Sequence, residues 1–250
     1  MITSRQYIQV PKGVSIAVMG DVHEHPEQFF AMLDAVRPQE NMWLVSIGDI
    51  YDKGFGLRAA EKITDELIRL QNKGICYAVR GNHELKLIRK ARKTPKFSSQ
   101  LKWWSNQPLV LTFNFENRNS ITVLHAGVTP NMTESDLGHG VEVVYVRDVD
   151  ENGVMIPLVW KDIDGVSTLM KSKEGGSNWH DLYDGRFGYI VAGHAAQKDG
   201  AKFFDYSCNL DSGVYDTGKL TAQLFNDEGK TIRIQTVEGT PFKPELNIAY

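Results

Sequence analysis

Five short apolar runs punctuate the chain: Val14–Met19, Met42–Ile47, Ile75–Val79, Ile121–Leu124 and Tyr189–Ala192. Each is rich in Val, Ile or aromatic residues and nearly continuous in apolar character, the pattern of strands covered on both faces. Helical periodicity separates the first three. Glu27–Val36 carries Phe29, Phe30, Leu33 and Val36 at helical spacing, with Pro26 at its first turn. Leu57–Gln71 repeats Ala60, Ile63, Leu67 and Leu70 on one face and is closed by Gly74. Strand, helix, strand, helix, strand predicts an α/β sheet. Leu109–Phe115 and Ile121–Leu124, joined by "NRNS", read as a hairpin, and the stretch from Cys208 to Val237 reads as strands and turns of a second sheet. Residues 130–188 are irregular and rich in Gly, Asp and Asn, which predicts long functional loops or a cap. The last ten residues, with Pro241 and Pro244, are expected to form a surface tail.

Composition narrows the class. The 250 residues suffice for a sizeable core, and 42% apolar with 24% charged residues is ordinary for a globular protein. A net charge of −3 argues against a chain whose main task is wrapping nucleic acid, and no stable DNA binding is expected. The two cysteines, Cys76 and Cys208, are too few for a disulfide framework and read as buried thiols in a reducing compartment. The first residues lack the apolar core of a signal peptide, and no run approaches the ~20 apolar residues of a membrane span. The expectation is a cytoplasmic protein formed of one domain over residues 1–250.

The chemistry sits immediately after the apolar runs. The first is followed by "GDVHE" with Asp21 and His23, the second by "GDIYDKG" with Asp49 and Asp52, and the third by "GNHE" with Asn82 and His83. The fourth gives "HAG" with His125 and the fifth "GH" with His194. Ligands of α/β sheets bind outside the carboxyl ends of the strands, so these side chains should converge. Taken alone, Asn82 is an ordinary helix cap after Gly81. Together, the carboxylate, imidazole and amide groups suit Mn²⁺, Fe, Zn²⁺ or a similar cation, and no cysteine joins them. Without metal, so many buried polar groups would carry a heavy desolvation cost. With two ions ~3.5–4 Å apart, one carboxylate must bridge, and Asp49 is the central acid. Asp21, His23 and Asp49 would then hold one ion, and Asp49, Asn82, His125 and His194 the other.

This order of motifs resembles the calcineurin-like metallophosphoesterases, in the branch that contains the serine/threonine phosphoprotein phosphatases. "YIVAGHAAQ" and "NLDSGVYDTGKLTAQLF" are similar to the end of the phosphatase module of bacterial polynucleotide kinase-phosphatases and of diadenosine tetraphosphatase-like enzymes. The resemblance covers about residues 14–225. It implies an α/β fold in which a β-sandwich of two mixed sheets is flanked by helices, with a dinuclear metal site at the strand C-terminal edge. It further implies a phosphatase with two divalent ions, Mn²⁺ first and Fe, Zn²⁺ or Ni²⁺ as alternatives. His83, paired with Asp52, would protonate the leaving group. The expected substrate is a phosphoprotein. The alternatives are a nucleotide or nucleic-acid end, a 2′,3′-cyclic phosphate or a diadenosine polyphosphate. A metal-free binding scaffold on the same fold is the reading from another class. Two positions depart from the family pattern: Glu24 replaces a glycine, and Lys53, the expected substrate-binding residue, replaces an arginine whose planar fork grips phosphate. Glu24 is expected either to crowd the site or to orient His23. His25 is expected to be solvated at a helix start, and His139 and His180 to lie on the surface. Arg80 is read as facing either substrate or a neighbouring acid. Lys161 is a candidate for phosphate binding. "KLIRKARKTPK", Lys86–Lys96, is a solvated basic face or a polyanion patch, and "KWWS" is packing or a stacking platform.

Overall fold

In the computed structural model the chain is described over residues 4–91, 98–163 and 166–242. The chain begins with strands β1 (Arg5–Gln9) and β2 (Ser15–Met19), then α1 (Pro26–Val36), β3 (Met42–Ser46), α2 (Leu57–Asn72) and β4 (Cys76–Ala78). Helices α3 (Asn82–Ala91) and α4 (Ser99–Asn106) precede the hairpin β5 (Val110–Asn114) and β6 (Ser120–Leu124). The irregular middle contains α5 (Glu134–His139), β7 (Asp148–Val149), the hairpin β8 (Leu158–Ile163) and β9 (Val166–Lys171), β10 (Ser177–Asn178) and α6 (Trp179–Leu182). The chain then runs through β11 (Tyr189–Ala192), β12 (Lys202–Phe203), β13 (Ser207–Asn209), α7 (Val214–Thr217), β14 (Lys219–Phe225) and β15 (Thr231–Glu238).

Two mixed sheets form the body, a six-stranded one in the order β1-β5-β6-β11-β13-β12 and a five-stranded one in the order β15-β14-β2-β3-β4. Alternation along β2 explains the layering. Ile16 and Val18 point into the space between the sheets, against Leu111, Phe113, Val123 and Val191 of the six-stranded sheet. Ala17 and Met19 point the other way, under Phe29 and Met32 of α1 and Ile63 and Leu67 of α2. Both faces are covered, which is why these strands read as continuous apolar runs. Trp104 is fully buried in the α1–α2 layer and its indole N–H donates to Thr64, so the tryptophan pair packs rather than stacks on a ligand. The outer face of the six-stranded sheet is covered by Leu137, Val143, Val144 and Trp179 from the middle region. The two-mixed-sheet expectation therefore holds, as do both long helices and the 110–124 hairpin.

Three features differ from the sequence reading. Strand β1, which joins β5 in parallel, was not marked by any apolar run because its side chains are mostly exposed. The C-terminal strands do not form a sheet of their own: β14 and β15 extend the sheet of β2, while β13 pairs with β11. Within 130–188 the chain is a covering layer of short elements, with β8–β9 as a separate two-stranded hairpin. Residues 243–250 of the expected tail, and Arg92, Lys93 and Lys96 of the basic run, lie outside the described residues.

Candidate metal centre

Strands β2, β3 and β4 run parallel in one sheet and β6 and β11 run parallel in the other, so their C-terminal ends open on the same edge. Asp49 stands at the centre. Its Oδ2 lies 3.3 Å from His125 Nε2, 3.7 Å from His83 Nε2 and 3.8 Å from His23 Nε2. Asp21 Oδ2 is 3.9 Å from His23 Nε2 and accepts the backbone N–H of His194 at 3.2 Å. Asn82 Oδ1 is 2.9 Å from His125 Nε2. Ligand atoms of His23, Asp49 and His83 lie mutually within 4.8 Å, as do those of Asp49, His125 and His194; both groups could hold a metal ion. Asn82 opens α3 without serving as a simple cap, because its side-chain oxygen faces His125.

Backbone carbonyls aim the imidazoles. His23 Nδ1 lies 3.2 Å from the Tyr51 carbonyl and His125 Nδ1 3.0 Å from that of Ile47, so each Nδ1–H donates outward and Nε2 faces the carboxylates. Burial lowers the His23 pKa to about 3, with the Asp49 charge opposing it, and drives His194 well below the ordinary value. Neutral imidazoles are the form that binds metal. Burial would strip His125 as well, but the adjacent Asp49 raises it to about 9. Burial, with Asp211 next in effect, pushes the Asp21 carboxyl up. Carboxylates and imidazoles are thus crowded in a buried space where a cation would relieve the charge and displace protons, and the donor set fits that group.

The backbone is as specialised as the side chains. Of the eight described non-glycine residues with positive φ, six are His23, Glu24, Asp49, Asp52, Lys53 and His194. Left-handed backbone at non-glycine residues is strained and clusters at functional sites. Glycines before the candidate ligands serve close approach: a Cβ at Gly81 would lie 2.1 Å from Asp49 Oδ1, and one at Gly193 the same distance from Asp21 Oδ1.

Two glutamates hold the loop from Asp49 to Gly56. Glu84, buried, accepts the N–H groups of Asp49 at 2.9 Å, Ile50 at 2.8 Å and Gly81 at 2.8 Å. Glu24 accepts those of Asp52 at 3.0 Å, Gly54 at 3.2 Å and Gly56 at 3.0 Å. Glu24 therefore neither crowds the centre nor touches His23 through its carboxylate; at φ 60 it occupies a backbone conformation that suits the glycine of the family pattern. The loop it holds presents Asp52, whose Oδ2 is 2.8 Å from His83 Nδ1 and 3.0 Å from Lys86 Nζ. Partial burial would raise the Asp52 carboxyl, but the bonds from His83 and Lys86 hold it below its ordinary range. Lys53 Nζ lies 4.9 Å from the centre of the Tyr215 ring, and that ring meets His23 edge-on at 5.6 Å.

The structure corrects two other readings, those of His25 and His180. His25 is fully buried, not solvated, with Nδ1 2.5 Å from the His23 carbonyl. His180 is buried too, stacked between Trp179 and Phe204 and 2.8 Å from Ser207 Oγ, while His139 is exposed as expected. Arg80 Nη1 reaches the Ser105 carbonyl at 3.5 Å. Lys161 is exposed on β8. Arg147, not singled out in the sequence, instead approaches the site: its Nη2 donates to the His194 carbonyl at 2.9 Å, and its Nε has no hydrogen-bond partner among the described atoms. Asp211, Tyr215 and Glu84 were missed likewise. All three lie in stretches with a family signal, Glu84 in "GNHE" and Asp211 and Tyr215 in "NLDSGVYDTGKLTAQLF", but no spacing there assigns them a role.

Comparison with known proteins agrees with this geometry. Residues 14–198 match the model of the calcineurin-like phosphoesterases. A crystal structure of a presumed diadenosine tetraphosphatase superposes with a TM-score of 0.69 at 26% identity, covering 94% of this chain and 98% of that one. A serine/threonine phosphatase of Saccharomyces cerevisiae superposes with a TM-score of 0.57 at 16% identity, over 97% and 86% of the two chains, a likeness of fold. A metallophosphoesterase of Sphaerobacter thermophilus gives 0.50 at 13% identity, over 91% and 89%. No curated protein matches the chain significantly. The matched span takes in every strand end that feeds the Asp49 cluster, and the chain belongs to the calcineurin-like phosphoesterase family, hydrolases of phosphoester bonds that depend on metal.

Proposed function

We propose that this chain is a phosphomonoesterase whose two divalent cations, Mn²⁺ first among the candidates, are held by Asp21, His23 and Asp49 on one side and by Asp49, Asn82, His125 and His194 on the other. The observation that carries the reading is the position of Asp49 Oδ2, within 3.8 Å of three imidazole nitrogens delivered by three separate strand ends. Bound cations would polarise the phosphoryl oxygens and lower the pKa of a water for in-line attack. The chain's own groups do the rest. His83 contacts Asp49 as well, but its Nδ1 is engaged by Asp52, which fixes the ring and leaves Nε2 toward the cleft as the proton donor to the departing oxygen. Lys53, over the Tyr215 ring, and Arg147, beside the His194 carbonyl, are the cations assigned to bind phosphate.

The whole chain, residues 1–250, is read as one such domain. No helix among the described residues is long and apolar enough to cross a membrane. Cys76 and Cys208 are buried free thiols, which supports a cytoplasmic setting. Phosphoprotein and nucleotide substrates both remain within this reading, the second favoured by the likeness to the presumed diadenosine tetraphosphatase. The test is metal removal. Chelated protein should lose hydrolysis of p-nitrophenyl phosphate and regain it with Mn²⁺; activity that survives exhaustive chelation would contradict the proposal.

A further inference from the structure

The side of α3 that leads away from the candidate centre is cationic. Asn82, Lys86, Arg89 and Lys90 stand at positions i, i+4, i+7 and i+8, which share one helix face. With Tyr145 they line a groove of about 520 Å³, a size that suits a small-molecule site. The groove begins at the centre, because Asn82 Oδ1 faces His125 Nε2. Its inner end lies on the leaving-group side, because Lys86 Nζ is 3.0 Å from the Asp52 carboxylate that pairs with His83. Along the helix it extends about 12 Å, at roughly 1.5 Å per residue. Arg89 Nη1 is 3.4 Å from the Tyr145 hydroxyl. Lys86, Arg89 and Lys90 are exposed, and among the described residues neither Arg89 nor Lys90 has an ion-pair partner. On a chain of net charge −3, unpaired cations leading away from a phosphate-cleaving centre are a local feature with a direction.

We infer that this groove is a subsite for a second phosphate on the leaving group. The preferred substrates are then small phosphomonoesters whose leaving group carries a further phosphate, such as a nucleoside bisphosphate, with the Tyr145 ring available to a base. The inference rests on the phosphomonoesterase reading and adds the substrate class to it. An ester with an uncharged leaving group meets the same catalytic groups but leaves Arg89 and Lys90 unused.

The experiment compares two substrate pairs in the Mn²⁺-loaded protein: adenosine 3′-phosphate with adenosine 3′,5′-bisphosphate, and propyl phosphate with 1,3-propanediol bisphosphate. Each exposed charge pair contributes modestly, so at low salt kcat/KM for a bisphosphate should exceed that of its partner by about tenfold. The advantage should shrink as salt screens the exposed cations. In Arg89→Gln/Lys90→Gln it should vanish, while p-nitrophenyl phosphate hydrolysis stays at the wild-type level. A gain in both pairs means that phosphate alone is read, and a gain in the adenosine pair only adds recognition of the base; either supports the subsite. Equal rates within both pairs, an equal loss on all substrates in the variant, or faster turnover of a phosphoserine peptide with uncharged flanks would overturn it. Tripolyphosphate binding by calorimetry makes the same wild-type and variant comparison without turnover. An inactive enzyme would count against the phosphomonoesterase reading, while equal tripolyphosphate affinity in the two proteins would count against the groove.

Discussion

His83 illustrates how much of the chemistry rests on single atoms. One ring nitrogen is 2.8 Å from Asp52 and the other 3.7 Å from Asp49, so the residue stands between an acid partner and the candidate metal ligands. If it is the proton donor, His83→Ala should leave bound metal near the wild-type amount. The rate on an alkyl phosphate should fall about 10²–10⁴-fold, the usual contribution of a general acid. On p-nitrophenyl phosphate, whose leaving group needs little protonation, the loss should be much smaller. Loss of metal would make His83 a ligand instead, and an equal loss on both substrates would sink the proton-donor role. The candidate ligands themselves were visible in the sequence because each motif follows its own strand, Asp21 and His23 sharing the first. His25 and His180 were misread for the opposite reason: nothing adjacent in sequence reveals that the ring of one is buried beside the His23 carbonyl or that Trp179 and Phe204 sandwich the other.

At the scale of elements, the loop between β3 and α2 is the device that turns a sheet edge into a site. Its strained residues Asp49, Asp52 and Lys53 keep their left-handed backbone because Glu84 and Glu24 accept N–H groups along its length. Glu24 is specific to this chain's departure from the family pattern, and it acts on the backbone of Asp52, Gly54 and Gly56, not on the candidate metal ligands. Glu24→Gly should therefore raise KM and lower kcat on alkyl phosphates, together about 10–100-fold, the range of groups that orient others at metal sites. Bound metal should remain at the wild-type amount, and Glu24→Gln, which keeps one acceptor oxygen, should fall between. Wild-type kinetics in the glycine variant would show that the loop holds itself. Long helices and continuous apolar strands were visible in the sequence because their periodicity is local. Sheet membership was not, since β14 joins β2 across most of the chain. Arg147 escaped for the same reason, arriving from a covering loop with no motif around it, whereas Tyr215 lies within "NLDSGVYDTGKLTAQLF", where nothing local shows that its ring meets His23.

The whole molecule places two mixed sheets so that five parallel strand ends, from both sheets, empty onto one buried point. Burial makes that point costly for charge, and the left-handed backbone there adds strain, so the arrangement is stable only if something compensates. On the proposed function, two cations do so and share Asp49. The most direct measurement is elemental analysis of the purified protein and of Asp49→Asn, which keeps the side-chain size and removes the shared negative charge. The account predicts two divalent ions per wild-type chain and loss of most of the bound metal in the variant, with hydrolysis of p-nitrophenyl phosphate nearly abolished. A variant that still binds two ions per chain and turns over substrate at the wild-type rate would contradict it.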